Sequence, residues 1–338
     1  MNTLPIVVTM GEPAGIGGEI TCKAWLRRHE KLTPFFVIDD PHRLRAVSDR
    51  LGSVQKKVPI QVITTPADAM TVFSQALPVL PEILSVESIP GRPTLDNTKA
   101  VISSIKRAVA FIRNGHSAAV VTNPICKKIL HTANFSYPGH TEFLAALAGS
   151  HIRPTMMLTC PGLRVVPVTV HVSLRQAVAL LNRADIITCG HITARALQKD
   201  FGIRKPRLAV AALNPHAGEE GDMGIEENMI IRPAIEKLLE NGINAIGPAP
   251  ADTLFHVKAR TSYDAVLCMY HDQAMIPLKT IGFHSGINIT LGLPFVRTAP
   301  DHGTALDIAG MGIADESSMM QALRTAQEMS THRLMSLS

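Results

Sequence analysis

Short apolar, β-branched runs recur along this chain, and each stops at a glycine, proline or polar turn before a helical pattern begins. Leu4 to Met10 is the first, ending in Gly11-Glu12-Pro13-Ala14-Gly15-Ile16-Gly17-Gly18-Glu19 and passing into a helix through Trp25. Pro34 to Asp40 and Val58 to Thr64, with an amphipathic helix between them, follow the same plan, as does Ser117 to Val121 before Thr122-Asn123-Pro124. Runs that lack polar alternation are buried on both faces, so the pattern predicts a mostly parallel sheet covered on both sides by helices. Such sheets bind ligands past the carboxyl ends of their strands, where these turns fall.

Asp96 is placed to cap a helix reaching Gly115, with Val101, Ile105, Ala108, Val109 and Ile112 along one face. Pro138-Gly139-His140-Thr141-Glu142 turns into a short helix from Phe143 to Ala148. That puts His140 and Thr141 in a first turn, where free N–H groups favour an anion; a plain surface cap is the other reading. Thr155 to Thr159 and Leu163 to Val170, on either side of Pro161-Gly162, read as a hairpin.

At 338 residues the chain exceeds what one core usually holds, so two lobes are expected. The net charge of +5 is scattered, and aromatic residues make up only 4%, which argues against nucleic acid and suits anionic small substrates. Five cysteines without a C-x-x-C pair read as reduced thiols. The first apolar run is stopped by Gly11-Glu12-Pro13 and reads as a strand, not a signal peptide. No apolar run approaches the roughly 20 residues of a membrane helix, so a cytoplasmic protein is expected, with no membrane partner.

The densest chemistry lies between Met269 and Ala305, where His271, Asp272, Lys279, Asn288, Arg297, Asp301 and His302 stand among apolar residues, glycine and proline. His271 follows the run Ala265 to Met269; His171 and His216 likewise come at or just after the ends of VVPVTV and RLAVAALNP. Any one of the three reads as a core or loop histidine. Three in one strand-end context can converge at one sheet edge, and three neutral imidazoles with an open position suit a divalent metal, zinc most comfortably. Lys279, Asn288 and Arg297 supply charge and hydrogen bonds for a phosphate or carboxylate. The fingerprint G-x-G-x-x-G fails, because Gly15 and Gly17 would need a glycine at Ile20, and no P-loop lysine follows.

GEPAGIG, PGHTEF, NPHAGE, ADTLF, YHDQ and NITLGLPFVRT followed by DHGTA, in that order over nearly the whole chain, resemble the 4-hydroxythreonine-4-phosphate dehydrogenases of pyridoxal phosphate biosynthesis. The resemblance implies two α/β/α lobes with a central cleft, similar to isocitrate and isopropylmalate dehydrogenases. Residues 1–130 and 280–338 are expected in the first lobe. Residues 131–279, with the metal ligands and dimer contacts, are expected in the second. The implied reaction is NAD- or NADP-dependent oxidation of 4-phosphooxy-L-threonine to 2-amino-3-oxo-4-(phosphooxy)butanoate, which decarboxylates to 3-amino-2-oxopropyl phosphate. The implied assembly is a homodimer whose active site draws on both chains.

Carried over by motif, the metal ligands fall on His171, His216 and His271, for zinc or else cobalt, manganese or magnesium. The substrate contacts fall on His140, Thr141, Lys279, Asn288 and Arg297. Asp252 and Asp272 are both candidates for the base, and no residue is assigned to the cofactor. Ala274-Met275-Ile276-Pro277 departs from the glycine-like turn expected after YHDQ. Alternative activities are oxidation of threonate or erythronate 4-phosphate, oxidation of an aromatic dihydrodiol, and a metal-free phosphate acyltransferase of similar fold.

Overall fold

The computed structural model describes residues 4–149 and 153–336. Its described strands are β1 (Ile6–Thr9), β2 (Phe35–Asp39), β3 (Ile60–Val62), β4 (Leu77–Pro81), β5 (Ala119–Val121), β6 (Thr155–Cys160), β7 (Leu163–Pro167), β8 (Arg207–Ala211), β9 (Asn244–Ala249), β10 (Ala265–Cys268), β11 (Ile287–Leu291) and β12 (Val296–Pro300). The chain divides into two compact units, Met1–Pro154 with Leu293–Thr331 and Thr155–Gly292 with His332–Ser338.

In the first unit the strand order is β3-β4-β2-β1-β5-β12, and the pairings are parallel. Every residue of β1, β2 and β5 is buried, which is why these runs carry no polar alternation. From β1 the chain moves to β2 on one side and later returns as β5 on the other. The crevice past the carboxyl ends of β1 and β5 is therefore a topological switch point, the usual ligand position in such sheets. Gly11 sits there at φ +70°, where a Cβ would lie 2.6 Å from that of Asn123; only glycine lets the two strand-end turns meet. The Glu12 N–H then donates to the Pro124 carbonyl at 2.8 Å, and Asn123 Nδ2 donates to the Thr9 carbonyl at 3.0 Å.

Phe143 and Leu144, from the helix His140–Ala148, enter the same core cluster as Val7, Phe36 and Val120. Burying each of these two side chains is worth about 1.5–3 kcal/mol. That packing holds residues 131–149 with the first unit, whereas the resemblance led to the second being expected. Conversely, residues 280–292 belong to the second unit, because β11 pairs antiparallel with β6 along its whole length.

Within the second unit the order is β11-β6-β7-β10-β8-β9. The expected hairpin is present as the antiparallel pair β6 and β7, and β7, β10, β8 and β9 run parallel. β7, β10 and β8 are neighbours, so the loops carrying His171, His271 and His216 leave one edge of the sheet.

Two local expectations are corrected. The helix expected from Asp96 starts at Thr98 after a 3-10 turn, Leu95–Asn97, and the hydroxyl of Thr94 accepts the Asp96 N–H at 3.3 Å. Thr94 has the extended backbone a cap requires, whereas Asp96 is already inside the turn. In place of a glycine-like turn after YHDQ, the chain enters a helix at once, His271–Gly282, with Pro277 inside it. Among the described residues, no helix is long and apolar enough to cross a membrane.

Candidate active site

Arg297 is the one charged residue in β12, and it is only 4% exposed. Its strand pairs with β5, which brings the guanidinium to Thr122 at the β5 end: Nη2 donates to Oγ1 at 2.7 Å and Nε at 3.2 Å. Burial lowers Arg297 to about 10, and the charge of Glu142 offsets part of that shift. A buried guanidinium that donates to a neutral hydroxyl suits an anionic ligand.

His140 opens the helix His140–Ala148, after Gly139 in extended conformation, and Thr141 follows it in the first turn as expected. The residue is half-buried, but its Nε2 is closed off from solvent and has no hydrogen-bond partner among the described residues. Burial first, then the charges of Arg297 and Lys127, hold this imidazole well below its usual range. It is therefore neutral near pH 7 and has a ring nitrogen to spend on a ligand. Buried Arg297, neutral His140 and the helix N-terminus beside Thr141 make a cradle for a phosphate or carboxylate.

In the second unit, His171 and His271 come together with ring centroids 6.0 Å apart. Both line a cavity of about 200 Å³ with Thr169, Tyr270 and Asp272. His271 Nδ1 meets Asp272 Oδ1 at 2.7 Å, which leaves Nε2 as the ring nitrogen available to a ligand. His171 holds φ at 52°, an uncommon conformation that turns the chain sharply past β7. His216 is exposed and is not part of this cavity's lining; it begins a run, His216 to Glu220, in which every φ is positive. Among the described residues, no three of His, Cys, Asp and Glu are gathered to hold a metal. The donor set of one cavity, two imidazoles with a carboxylate behind one of them, has the chemistry of an incomplete divalent-metal shell.

The remaining expected residues lie elsewhere on the second unit. Lys279 is on the helix His271–Gly282, its Nζ 5.4 Å from the ring centre of Phe283, and Asn288 is half-buried in β11 opposite Leu158. Asp252 is exposed on the short helix Ala251–Leu254, outside the cavity that Asp272 lines.

Several supporting residues carry no sequence signal of their own. Glu227, 1% exposed, accepts the N–H groups of Leu213 and Asn214 at 2.8 and 2.7 Å and so anchors the loop that presents His216. Gln273 ties the β10 end to the β8 end, accepting from Met269 N–H and donating to the Ala212 carbonyl, both at 2.7 Å. Thr122 is visible only as a strand-end residue until Arg297 is placed beside it.

A buried strand-end guanidinium on a doubly covered α/β frame has the chemistry of an enzyme site for a small anionic substrate. The family described as "Pyridoxal phosphate biosynthetic protein PdxA" matches residues 30–326. The 4-hydroxythreonine-4-phosphate dehydrogenase of Bradyrhizobium diazoefficiens is 48% identical over 334 residues, 96% of each chain. The crystal structure of 4-hydroxythreonine-4-phosphate dehydrogenase from Klebsiella pneumoniae superposes with a TM-score of 0.86 at 38% identity, covering 97% of this chain and 100% of that one. A terephthalate 1,2-cis-dihydrodiol dehydrogenase from Burkholderia xenovorans is more distant, at 25% identity and a TM-score of 0.63, covering 97% of this chain and 98% of that one. The chain belongs to the PdxA family and is an oxidoreductase.

Proposed function

We propose that this enzyme oxidises 4-phosphooxy-L-threonine with NAD or NADP to 2-amino-3-oxo-4-(phosphooxy)butanoate, which loses carbon dioxide to give 3-amino-2-oxopropyl phosphate. The observation that carries the reading is the preformed anion cradle of Arg297, His140 and Thr141, which suits the phosphate of a small substrate. Lys279 and Asn288 are assigned to the remaining polar groups of the same substrate. The relatives' shared name points to this substrate, and the dihydrodiol relative, whose name specifies no phosphate, is much less similar.

His171, His216 and His271 are the proposed ligands of a divalent ion, zinc foremost, with cobalt, manganese or magnesium as alternatives. Such an ion supplies Lewis acidity at the secondary hydroxyl that is oxidised and at the carbonyl beside the departing carboxylate. Asp272 orients His271 through Nδ1, and this occupation favours Asp252 as the acceptor of the hydroxyl proton. Because His216 stands apart from the pair, the third imidazole is assigned to a second copy of the chain, making the working unit a homodimer. The proposed compartment is the cytoplasm.

The substrate is tested by following NAD reduction with 4-phosphooxy-L-threonine beside threonate 4-phosphate. A higher kcat/KM for threonate 4-phosphate would move the enzyme to the four-carbon acid phosphates. The shared site is tested by mixing two inactive variants, His271→Ala and His216→Ala. If ligands come from both chains, each mixed dimer regains one intact site. No recovery after subunit exchange would place all three ligands in one chain.

A further inference from the structure

The turn that follows β5 is fixed before it reaches a helix. Asn123 is fully buried, its Nδ2 donating to the Thr9 carbonyl at 3.0 Å and to Thr21 Oγ1 at 2.9 Å, and the Pro124 carbonyl accepts the Glu12 N–H at 2.8 Å. The helix Lys127–Thr132 follows directly. Leu130, 2% exposed, packs it into a core cluster with Met10 and Val101, so this short segment is held at both ends. The position of Lys127 is therefore set by buried neighbours, although its own side chain is exposed.

Lysine is an unfavourable residue with which to begin a helix. The first turn carries free N–H groups and the positive end of the dipole, which favour Asp or Glu, yet here it holds Lys127 and Lys128 and no acidic residue. Among the described residues Lys127 has no hydrogen bond or ion pair to offset that placement.

What Lys127 meets is the start of the helix His140–Ala148. A Cβ on Gly139, the residue before His140, would lie 3.3 Å from Lys127 Cε and 3.5 Å from its Nζ, so the missing side chain lets the ammonium approach. Lys127 and Arg297 both act on His140, whose Nε2 has no partner among the described residues. Glu142 Oε2 lies 3.7 Å from the same point, and among the described residues Glu142 forms no ion pair with Lys127. Three elements of the first unit thus bring polar groups to one place: β12 through Arg297, one helix start through His140 and Thr141, and the other through Lys127.

A phosphate monoester carries a charge of about −1.5 to −2 near pH 7. One guanidinium, partly offset by Glu142, and a neutral imidazole leave such a group short of positive charge, and an ammonium beside them supplies it. We propose that Lys127 is a further ligand of the substrate's phosphate; the proposal rests on the anion-cradle reading above.

The test compares Lys127→Met, Lys127→Arg, Lys128→Met and Arg297→Met with wild type in the full chain. Two quantities are read: calorimetric affinity for inorganic phosphate, and kcat and KM for 4-phosphooxy-L-threonine. Lys127→Met is expected to weaken phosphate about tenfold, a modest effect for a charge-assisted bond because the ammonium is exposed, and to raise KM by a similar factor with a smaller change in kcat. Lys127→Arg should recover most of the affinity, because it keeps the charge. Lys128→Met removes the same net charge one residue further on and should leave phosphate affinity unaltered. Thermal melts identify any variant that fails to fold, and Lys127→Gln takes the place of Lys127→Met if that variant is lost. Phosphate affinity that is unchanged in Lys127→Met, or lowered equally by Lys128→Met, overturns the assignment. If Arg297→Met still weakens phosphate in that case, the cradle stands without Lys127. If it does not, the reading on which the proposal rests falls as well.

Discussion

In the first unit, Arg297 and Thr122 are buried and hydrogen-bonded to each other before any ligand arrives. In the second, His171 and His216 stand exposed on loops with φ of 52° and 51°. The difference lies in what each region asks of its ligand. A buried guanidinium must be held by its neighbours, because an unsupported charge there would cost several kcal/mol, and Arg297 and Thr122 come from one unit. Imidazoles for a metal are neutral, tolerate solvent, and gain their order from the ion and, in our reading, from a second chain.

The sharpest way to break this contrast is to remove one imidazole. His271→Ala should lower kcat by about a thousandfold or more, the loss of several kcal/mol of charge stabilisation, while the melting temperature changes little because the residue is half-exposed. Chelation should reproduce the loss in the wild type, and zinc, cobalt or manganese should restore it. Full activity after chelation would make these histidines structural.

The second experiment addresses the buried guanidinium. Arg297→Met removes the buried charge and its bonds to Thr122, and should raise KM for the phosphorylated substrate by about 1.5–3 kcal/mol, roughly 10- to 150-fold. Methionine fills much of the same space, so the effect should appear in binding more than in folding. Unchanged kinetics would place Arg297 outside the substrate site.

These two sites were unequally legible from residues alone. The strand–turn–helix alternation locates the β1 and β5 ends, because β-branched runs and Gly11 report the local backbone directly. The pairing of Arg297 with Thr122 is not legible, since they are far apart in sequence and meet only through the register of β12 against β5. The three histidines could be grouped by their shared strand-end context, and β7, β10 and β8 are indeed neighbours. Neighbouring strands do not fix where a loop goes, however. His216 begins a run to Glu220 in which every φ is positive and does not line the cavity of the other two, and only Gly218 and Gly221 hint at that run in the sequence. The unit boundaries differ from those the resemblance implied, because the sequence does not show that Phe143 joins the core cluster of Val7 or that β11 pairs with β6.

A finer comparison concerns the carboxylate behind the imidazole. If Asp272 acts only by fixing the His271 ring through the 2.7 Å contact, Asp272→Asn should weaken metal affinity about 10- to 100-fold and leave activity recoverable at saturating metal. Persistent inactivity in excess metal would instead make Asp272 the proton acceptor and release Asp252 from that role.

The smallest expected effect separates the two regions by pH. His140 is held neutral in the folded chain, by burial first and by Arg297 and Lys127 next, whereas the unfolded chain lets it protonate near 6.5. Its folded pKa is thus depressed, so more protons bind to the unfolded state as the solution is acidified. The associated stability is present above about pH 6.5 and is lost as pH falls toward the folded value, at a rate of at most about 1.4 kcal/mol per pH unit for one proton. His140→Gln keeps a polar side chain but does not titrate. Urea melts at pH 7.5, 6.5 and 5.5 should therefore show the wild type losing stability on acidification faster than the variant, with the gap widening below pH 6.5. Parallel curves would mean that His140 takes up its proton in the folded state, and the cradle would then carry one more positive charge than the structure assigns to it.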